Sequence, residues 1–191
     1  LLLLKKDKEQ LTNNLQIIRL FKLVIIILSY VVPFLEINYQ LKLYTDLSIF
    51  MISSFRGVIL ATYTTLYIAI LGLIYQKRIS SGKYIFGLLY FSVFLYATAY
   101  LFLIADLRFD IFKAYDYTYP VCYFCPHLLS LPAIGFIIYL LVRNIKSLPP
   151  KSSTFLSWIL TILVVVISSV ELDNIVIWLL SNRDNYHDLL Y

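Results

Sequence analysis

The chain has 191 residues, 61% of them hydrophobic and only 14% charged, with a mean hydropathy of +0.82, whereas a soluble domain carries roughly 25% charged residues. This excludes an ordinary soluble domain and makes a lipid bilayer the first partner implied. The formal charge of +5 does not point to nucleic acid, because Lys and Arg fall in short clusters between apolar runs and not on a soluble face.

The chain opens on four leucines that run into Lys5 and Lys6. A secretory signal places its charges before its apolar core, so the order here is wrong for one. The expectation is that Leu1 to Leu4 are the tail of a preceding span and that the chain is a piece of a longer protein, with other spans of that chain as further partners.

Crossing about 30 Å of hydrocarbon takes about 20 helical residues at 1.5 Å each. Five runs qualify: Ile17 to Leu35, Gly57 to Tyr75, Tyr84 to Ala105, His127 to Val142, and Thr154 to Val170 with extension toward Leu180. No alternating pattern suggests a barrel, and isolated strands could not satisfy their backbone in lipid. The fold class expected is therefore all-α, a polytopic transmembrane helical bundle forming a single region over residues 1–191.

Cations set the orientation. Lys5, Lys6, Lys8, Arg19 and Lys22, then Lys77, Arg78 and Lys83, then Arg143, Lys146 and Lys151 fall on one side, against Lys42, Arg108, Lys113 and Arg183 on the other. The first side is expected to be cytoplasmic in a bacterial inner membrane, although the bias toward Ile, Leu, Phe, Tyr and Lys also fits an organellar product.

Within the second span, Ala61, Thr65, Ala69 and Gly72 make a stripe of small residues suited to close helix packing. Before it, Leu47 to Phe55 reads as an outer surface segment or a short re-entrant piece. Arg56, counted outward from Tyr75, falls about 28 Å away, at the boundary where it can snorkel. Tyr63 with Tyr67 and Tyr96 with Tyr100 have i,i+4 spacing, which suits packed tyrosines with satisfied hydroxyls better than a cofactor pocket. Pro132 and Gly135 are candidates to kink the fourth span.

The same ladder of depth sets Glu171 about 26 Å from Thr154 and His127 about 24 Å from Arg143, with Glu36 and Asp106 closing their spans on that side. An outward-facing polar cluster of Arg56, Glu171, Asp173, His127, Glu36 and Asp106 is the candidate binding site, with Arg56 expected to pair with Glu171 or Asp173. Helix ends are also simply where polar residues fall.

The two cysteines, Cys122 and Cys125, form a C-x-x-C followed by His127. On an oxidising side such a pair is a redox candidate. Membrane thiol oxidases of the disulfide-bond-formation and vitamin K epoxide reductase kinds use one beside a quinone, but they resemble one another in a second cysteine pair that this chain lacks. Three potential ligands fall short of the four a structural zinc wants, and Pro126 interrupts a haem-attachment C-x-x-C-H, so no metal or cofactor is implied. The plainer expectation is a turn bracketed by Pro120 and Pro126, with Pro126 at the first helical position and the cysteines small apolar residues or a local disulfide. No phosphate loop, protease pair or nucleophile elbow is present, which favours a non-enzymatic role.

At the fifth span, "ISSVELDNIVIWLL" is similar to a span of the large multi-spanning bacterial membrane proteins of domain-of-unknown-function family 2339, through Ser169, Glu171, Leu172, Asp173 and Asn174. The resemblance implies many spans in one polypeptide and carries no known reaction.

Overall fold

A computed structural model describes residues 2–47, 53–76, 83–113 and 120–181, with side chains over 16–43, 54–76, 85–109 and 125–176. The described residues are helical and contain no strand. Five helical stretches are long and apolar enough to cross a membrane: Gln16–Leu43, Ser54–Tyr75, Ile85–Phe109, Cys125–Ile145 and Pro150–Val176. The chain is a multi-pass membrane protein of the all-α class, and it divides into two compact units, Leu1–Phe50 and Met51–Tyr191.

The first unit holds α1, Leu2–Leu47, which continues through Pro33 and through Glu36. The sequence reading ended this span at Leu35 because Glu36 is charged. Gln40 instead donates its side-chain amide to the Glu36 carboxylate at 2.8 Å, one turn on, and both are exposed. A helix satisfies its own backbone, so a single carboxylate does not terminate it.

The second unit contains α2 (Ser53–Tyr75), α3 (Lys83–Leu95), a π-helical turn (Tyr96–Tyr100), α4 (Leu101–Lys113), α5 (Pro120–Ile145) and α6 (Pro150–Ser181). The third span is thus α3, the π turn and α4 in one line, flanked on both sides by α-helical dihedrals at Leu95 and Leu101. Residues Ser53 to Phe55 are the first turn of α2 and not an outer segment, while 48–52 lie outside the described residues.

α5 begins at Pro120, so Pro126 is inside the helix and not at its first position. Proline tolerates a helix start because its missing N–H falls among donors without intrahelical partners, and Pro120 fills that role. α5 also continues through Pro132 and Gly135. Between α5 and α6, Ser147 and Leu148 donate backbone N–H groups to Asn144 and Ile145, and Pro150 opens the next helix.

α2 packs chiefly against α5 and α4, and α6 packs against α5 and the π turn. The core runs through Val58, Leu89, Val93, Ile104, Ile137 and Leu140, all essentially without exposure. In α2, Thr65, Ala69 and Gly72 are buried. A Cβ on Gly72 would lie 2.8 Å from Leu140 Cδ1 and 3.2 Å from Leu89 Cδ2, so a side chain there would have to displace the ends of two leucines where three helices meet. On α6 the buried residues Leu160, Leu163, Ile167, Glu171 and Asn174 recur at helical spacing, whereas Phe155, Trp158, Ile162 and Leu172 are exposed, as lipid-facing residues are.

Candidate functional site

Among the described residues, the threonine hydroxyls are satisfied within their own helix with one exception. Thr64, Thr65, Thr98, Thr154 and Thr161 each donate to the carbonyl four residues back at 2.8–3.0 Å, the usual solution where no water is at hand. Thr62 departs from this. Its hydroxyl donates across the helix pair to the Pro126 carbonyl of α5 at 3.2 Å, and it lies 3.0 Å from the Tyr100 hydroxyl.

The π turn supplies the next two members. The Leu101 N–H bonds to the Tyr96 carbonyl, five residues back, which widens the backbone by one residue. Tyr96 and Tyr100 are stacked with ring centroids 4.4 Å apart, and the Tyr100 ring stacks in turn on His127 at 5.7 Å. Both tyrosines are buried, and both hydroxyls face inward to polar partners.

At the centre His127 of α5 meets Glu171 of α6, with Nε2 and Oε2 at 2.8 Å. Their exposures are 3% and 8%. Nδ1 of the same ring lies 3.2 Å from the Tyr100 hydroxyl. The other Glu171 oxygen accepts from Tyr96 at 3.3 Å, and Tyr96 is 3.0 Å from Ser130, whose hydroxyl donates to the His127 carbonyl at 2.7 Å. Asn174 donates weakly to Glu171 at 3.5 Å. Its carbonyl oxygen accepts from Arg108 of α4 at 3.2 Å, and Arg108 also reaches Asp173 at 3.3 Å.

The network therefore joins α2, the π turn, α4, α5 and α6. Among the described residues no buried side-chain nitrogen or oxygen lacks a partner. Such completeness matters in a medium of low dielectric, where a satisfied network is strong and each missing partner is costly. The exposed end is at Asp173, whose side chain is 64% exposed, next to Arg108 at 25%. The other ends are the carbonyls of Pro126 and His127.

Glu171 and His127, set at similar depth by helical rise, are in contact, and Asp173 joins them through Arg108 and Asn174. The partner expected for these carboxylates, Arg56, is not the one they have: His127 takes Glu171 and Arg108 takes Asp173. Arg56 is half-buried in the first turns of α2, and Asp106 is exposed on α4, which continues past it to Lys113. Glu36 belongs to α1 in the other unit. Cys125 is exposed, and the Cys122 side chain lies outside the described residues. Both ring nitrogens of His127 lie within hydrogen-bonding distance of other side chains, Nδ1 of Tyr100 and Nε2 of Glu171.

Sequence reasoning did not single out Thr62, Ser130, Asn174 and Arg108 for this cluster, and it read Tyr96 and Tyr100 as packing residues. Their hydroxyls are satisfied, as that reading expects, but by the ionisable pair itself. Comparison with protein-family models, with curated proteins and with solved structures gives no match, so the site is read from its own geometry.

Proposed function

We propose that the chain is a non-enzymatic module of a multi-pass bacterial inner-membrane protein, a transporter or envelope-sensing module whose working site is the His127–Glu171 network. The observation that carries this reading is the buried His127–Glu171 contact at 2.8 Å. Ionisable groups inside a membrane span are costly, and they mark ion pathways and proton sites by default. A purely structural bundle gains more from apolar packing than from a buried pair of this kind.

The cation distribution favours an arrangement in which Lys77, Arg78, Arg143, Lys146 and Lys151 are cytoplasmic and the Arg108–Asp173 end faces outward. A place among the proteins of domain-of-unknown-function family 2339, as part of a longer chain, belongs to the same proposal; of the residues behind that resemblance, Glu171, Asp173 and Asn174 contribute to the network.

The test is complementation of a deletion strain by variants present at wild-type membrane levels. Glu171→Gln and His127→Gln are expected to lose complementation, while the double variant Cys122→Ser/Cys125→Ser retains it. The opposite pattern, with a mixed disulfide trapped at either cysteine, overturns the proposal in favour of a thiol oxidoreductase.

A further inference from the structure

α2 and α5 run in the same direction: toward their C-terminal ends Gly72 meets Leu140, and toward the other end Thr62 bonds to the Pro126 carbonyl. The connection after α2 and the turn after α5 therefore lie at one end of the second unit. In sequence, Lys77, Arg78 and Lys83 belong to the first of these, and Arg143, Lys146 and Lys151 flank the second, whereas residues 47–105 and 117–170 contain no Asp or Glu. Along α6 the first carboxylate after Lys151 is Glu171, about 30 Å away by helical rise. That is well beyond the Debye length of about 10 Å at 0.1 M salt, so the acids of this unit leave the cations at its other end unneutralised.

The turn itself is short. Ser147 and Leu148 return their N–H groups to Asn144 and Ile145, α6 begins at Pro150, and Arg143, Lys146 and Lys151 are all exposed around it. On α6, Lys151, Phe155, Trp158 and Ile162 follow one another at helical spacing and share one face. All four are exposed, Trp158 by 68%. By helical rise Trp158 lies about 10 Å and Ile162 about 16 Å from Lys151, and half of a 30 Å hydrocarbon core is about 15 Å. The stripe thus passes from cation to aromatic to aliphatic over the depth of one leaflet. Across the turn, Tyr139 and Val142 are exposed one turn before Arg143 and Lys146.

We propose that the α5–α6 turn is a binding site for the headgroup of an anionic phospholipid, whose acyl chains lie along Phe155, Trp158 and Ile162. The Arg143 guanidinium donates to phosphate oxygens, and Lys146 and Lys151 add compact positive charge beside them. A zwitterionic phospholipid offers the same phosphate and chains but brings its own cation, so discrimination rests on net charge. An acidic polypeptide matches the cations but not the apolar stripe that continues beneath them at hydrocarbon depth, whereas a lipid matches both. The site is independent of the His127–Glu171 network, which lies toward the other end of the bundle.

The chain has two tryptophans, so Trp178→Phe leaves Trp158 as the only indole. In the test, this full chain is reconstituted in mixtures of phosphatidylcholine and phosphatidylglycerol in which one lipid or the other carries bromine at mid-chain, and quenching of Trp158 fluorescence reports which lipid is its neighbour. Both leaflets have the same composition, so a change in orientation does not imitate a change in preference. Phosphatidylglycerol is expected to be preferred at low salt by about fivefold or more, the worth of at least one Lys or Arg beside an anionic surface. The preference should fall toward parity at 1 M salt, where the Debye length is about 3 Å. The triple variant Arg143→Gln/Lys146→Gln/Lys151→Gln is expected to show parity even at low salt, and Lys151→Gln alone to lower the preference, while Arg56→Gln, near the other end of α2, leaves it in place. Equal quenching by the two lipids in the unsubstituted turn, or a preference that survives the triple change, overturns the proposal. A loss as large with Arg56→Gln as with Lys151→Gln also overturns it, since the effect would then follow the charge of the whole protein. Parity combined with failure of the triple variant to complement a deletion strain overturns it in favour of an acidic polypeptide partner.

Discussion

Where the C-terminal halves of α2 and α5 meet α3, the bundle is closed by shape: Gly72 leaves room for Leu140 and Leu89, and Ile137 and Leu141 fill the remainder. Toward the start of α5 and the end of α6, the same helices are joined by directed bonds among Thr62, Tyr96, Tyr100, His127, Ser130 and Glu171. The two regions teach different rules for membrane interiors. Dispersion and close fit degrade gradually as atoms are changed, whereas a complete polar network fails at once when a member is removed, because the partners left behind have no water to turn to.

The sharpest way to break that comparison is at its centre. Glu171→Ala leaves the His127 ring, Tyr96 and Asn174 facing a cavity, and His127→Ala leaves a buried carboxyl. Each is expected to cost about 3–5 kcal/mol of bundle stability, the usual range when one partner of a buried pair is deleted. Glu171→Gln keeps shape and hydrogen bonding and is expected to cost about 1 kcal/mol. The double variant His127→Ala/Glu171→Ala should cost little more than either single change, since neither partner is then left alone. Thermal unfolding in one detergent or nanodisc system measures all four. Additive costs in the double variant would show that the two groups act separately, and the distinction drawn between the two ends of the bundle would not hold.

Much of this architecture was legible in the sequence because membrane helices are written in length and charge. Apolar run length located five spans, and the helical rise put His127 and Glu171 at similar depth. What a depth count lacks is azimuth. On α6 the lipid-facing residues Ile162, Val165 and Val166 are as apolar as the buried Leu160, Leu163 and Ile167, so periodicity does not say which side is inward. Had the inward stripe been known, its continuation to Glu171 and Asn174 would have followed by counting.

The helices run past the expected span ends for a related reason. Glu36, Asp106 and Pro126 were read as boundaries, yet all three lie inside helices, since an exposed carboxylate on a helix or a proline in its early turns leaves most of the backbone ladder intact. The π turn has no residue signature. Tyr96 and Tyr100 were visible at i,i+4, but the extra backbone residue that aligns their rings is set by tertiary partners and not by local propensity. Arg108 was counted for topology alone, because its reach to Asn174 depends on how α4 faces α6.

The packed end offers a smaller and more graded test. A methyl group on Gly72 meets Leu140 Cδ1 at 2.8 Å, and Leu140 is fully buried, so the leucine must move into occupied space. Gly72→Ala is expected to cost about 1–3 kcal/mol, the range for overpacking a core. Leu140→Ala opens that space, so the pair Gly72→Ala/Leu140→Ala should cost less than the two changes summed. If Gly72→Ala proves harmless, the end of the bundle opposite the polar network is not held by close fit.

Gly135, on α5 between these regions, sharpens the comparison with the smallest change. It is exposed, and a Cβ there meets nothing within 4 Å. In a soluble helix, replacing such a glycine stabilises by about 0.4–1 kcal/mol, because the unfolded chain loses conformational freedom. A membrane span remains helical in lipid even when separated from its neighbours, so that contribution largely cancels. Gly135→Ala is therefore expected to alter stability by no more than about 0.5 kcal/mol, measured in the same unfolding assay. The two glycine variants add the same methyl group to helices of the same bundle, so the difference between them isolates the contacts of Leu140 and Leu89 from any change in backbone freedom. Equal effects at the two positions would assign the Gly72 cost to the helix backbone and not to the packing of three helices.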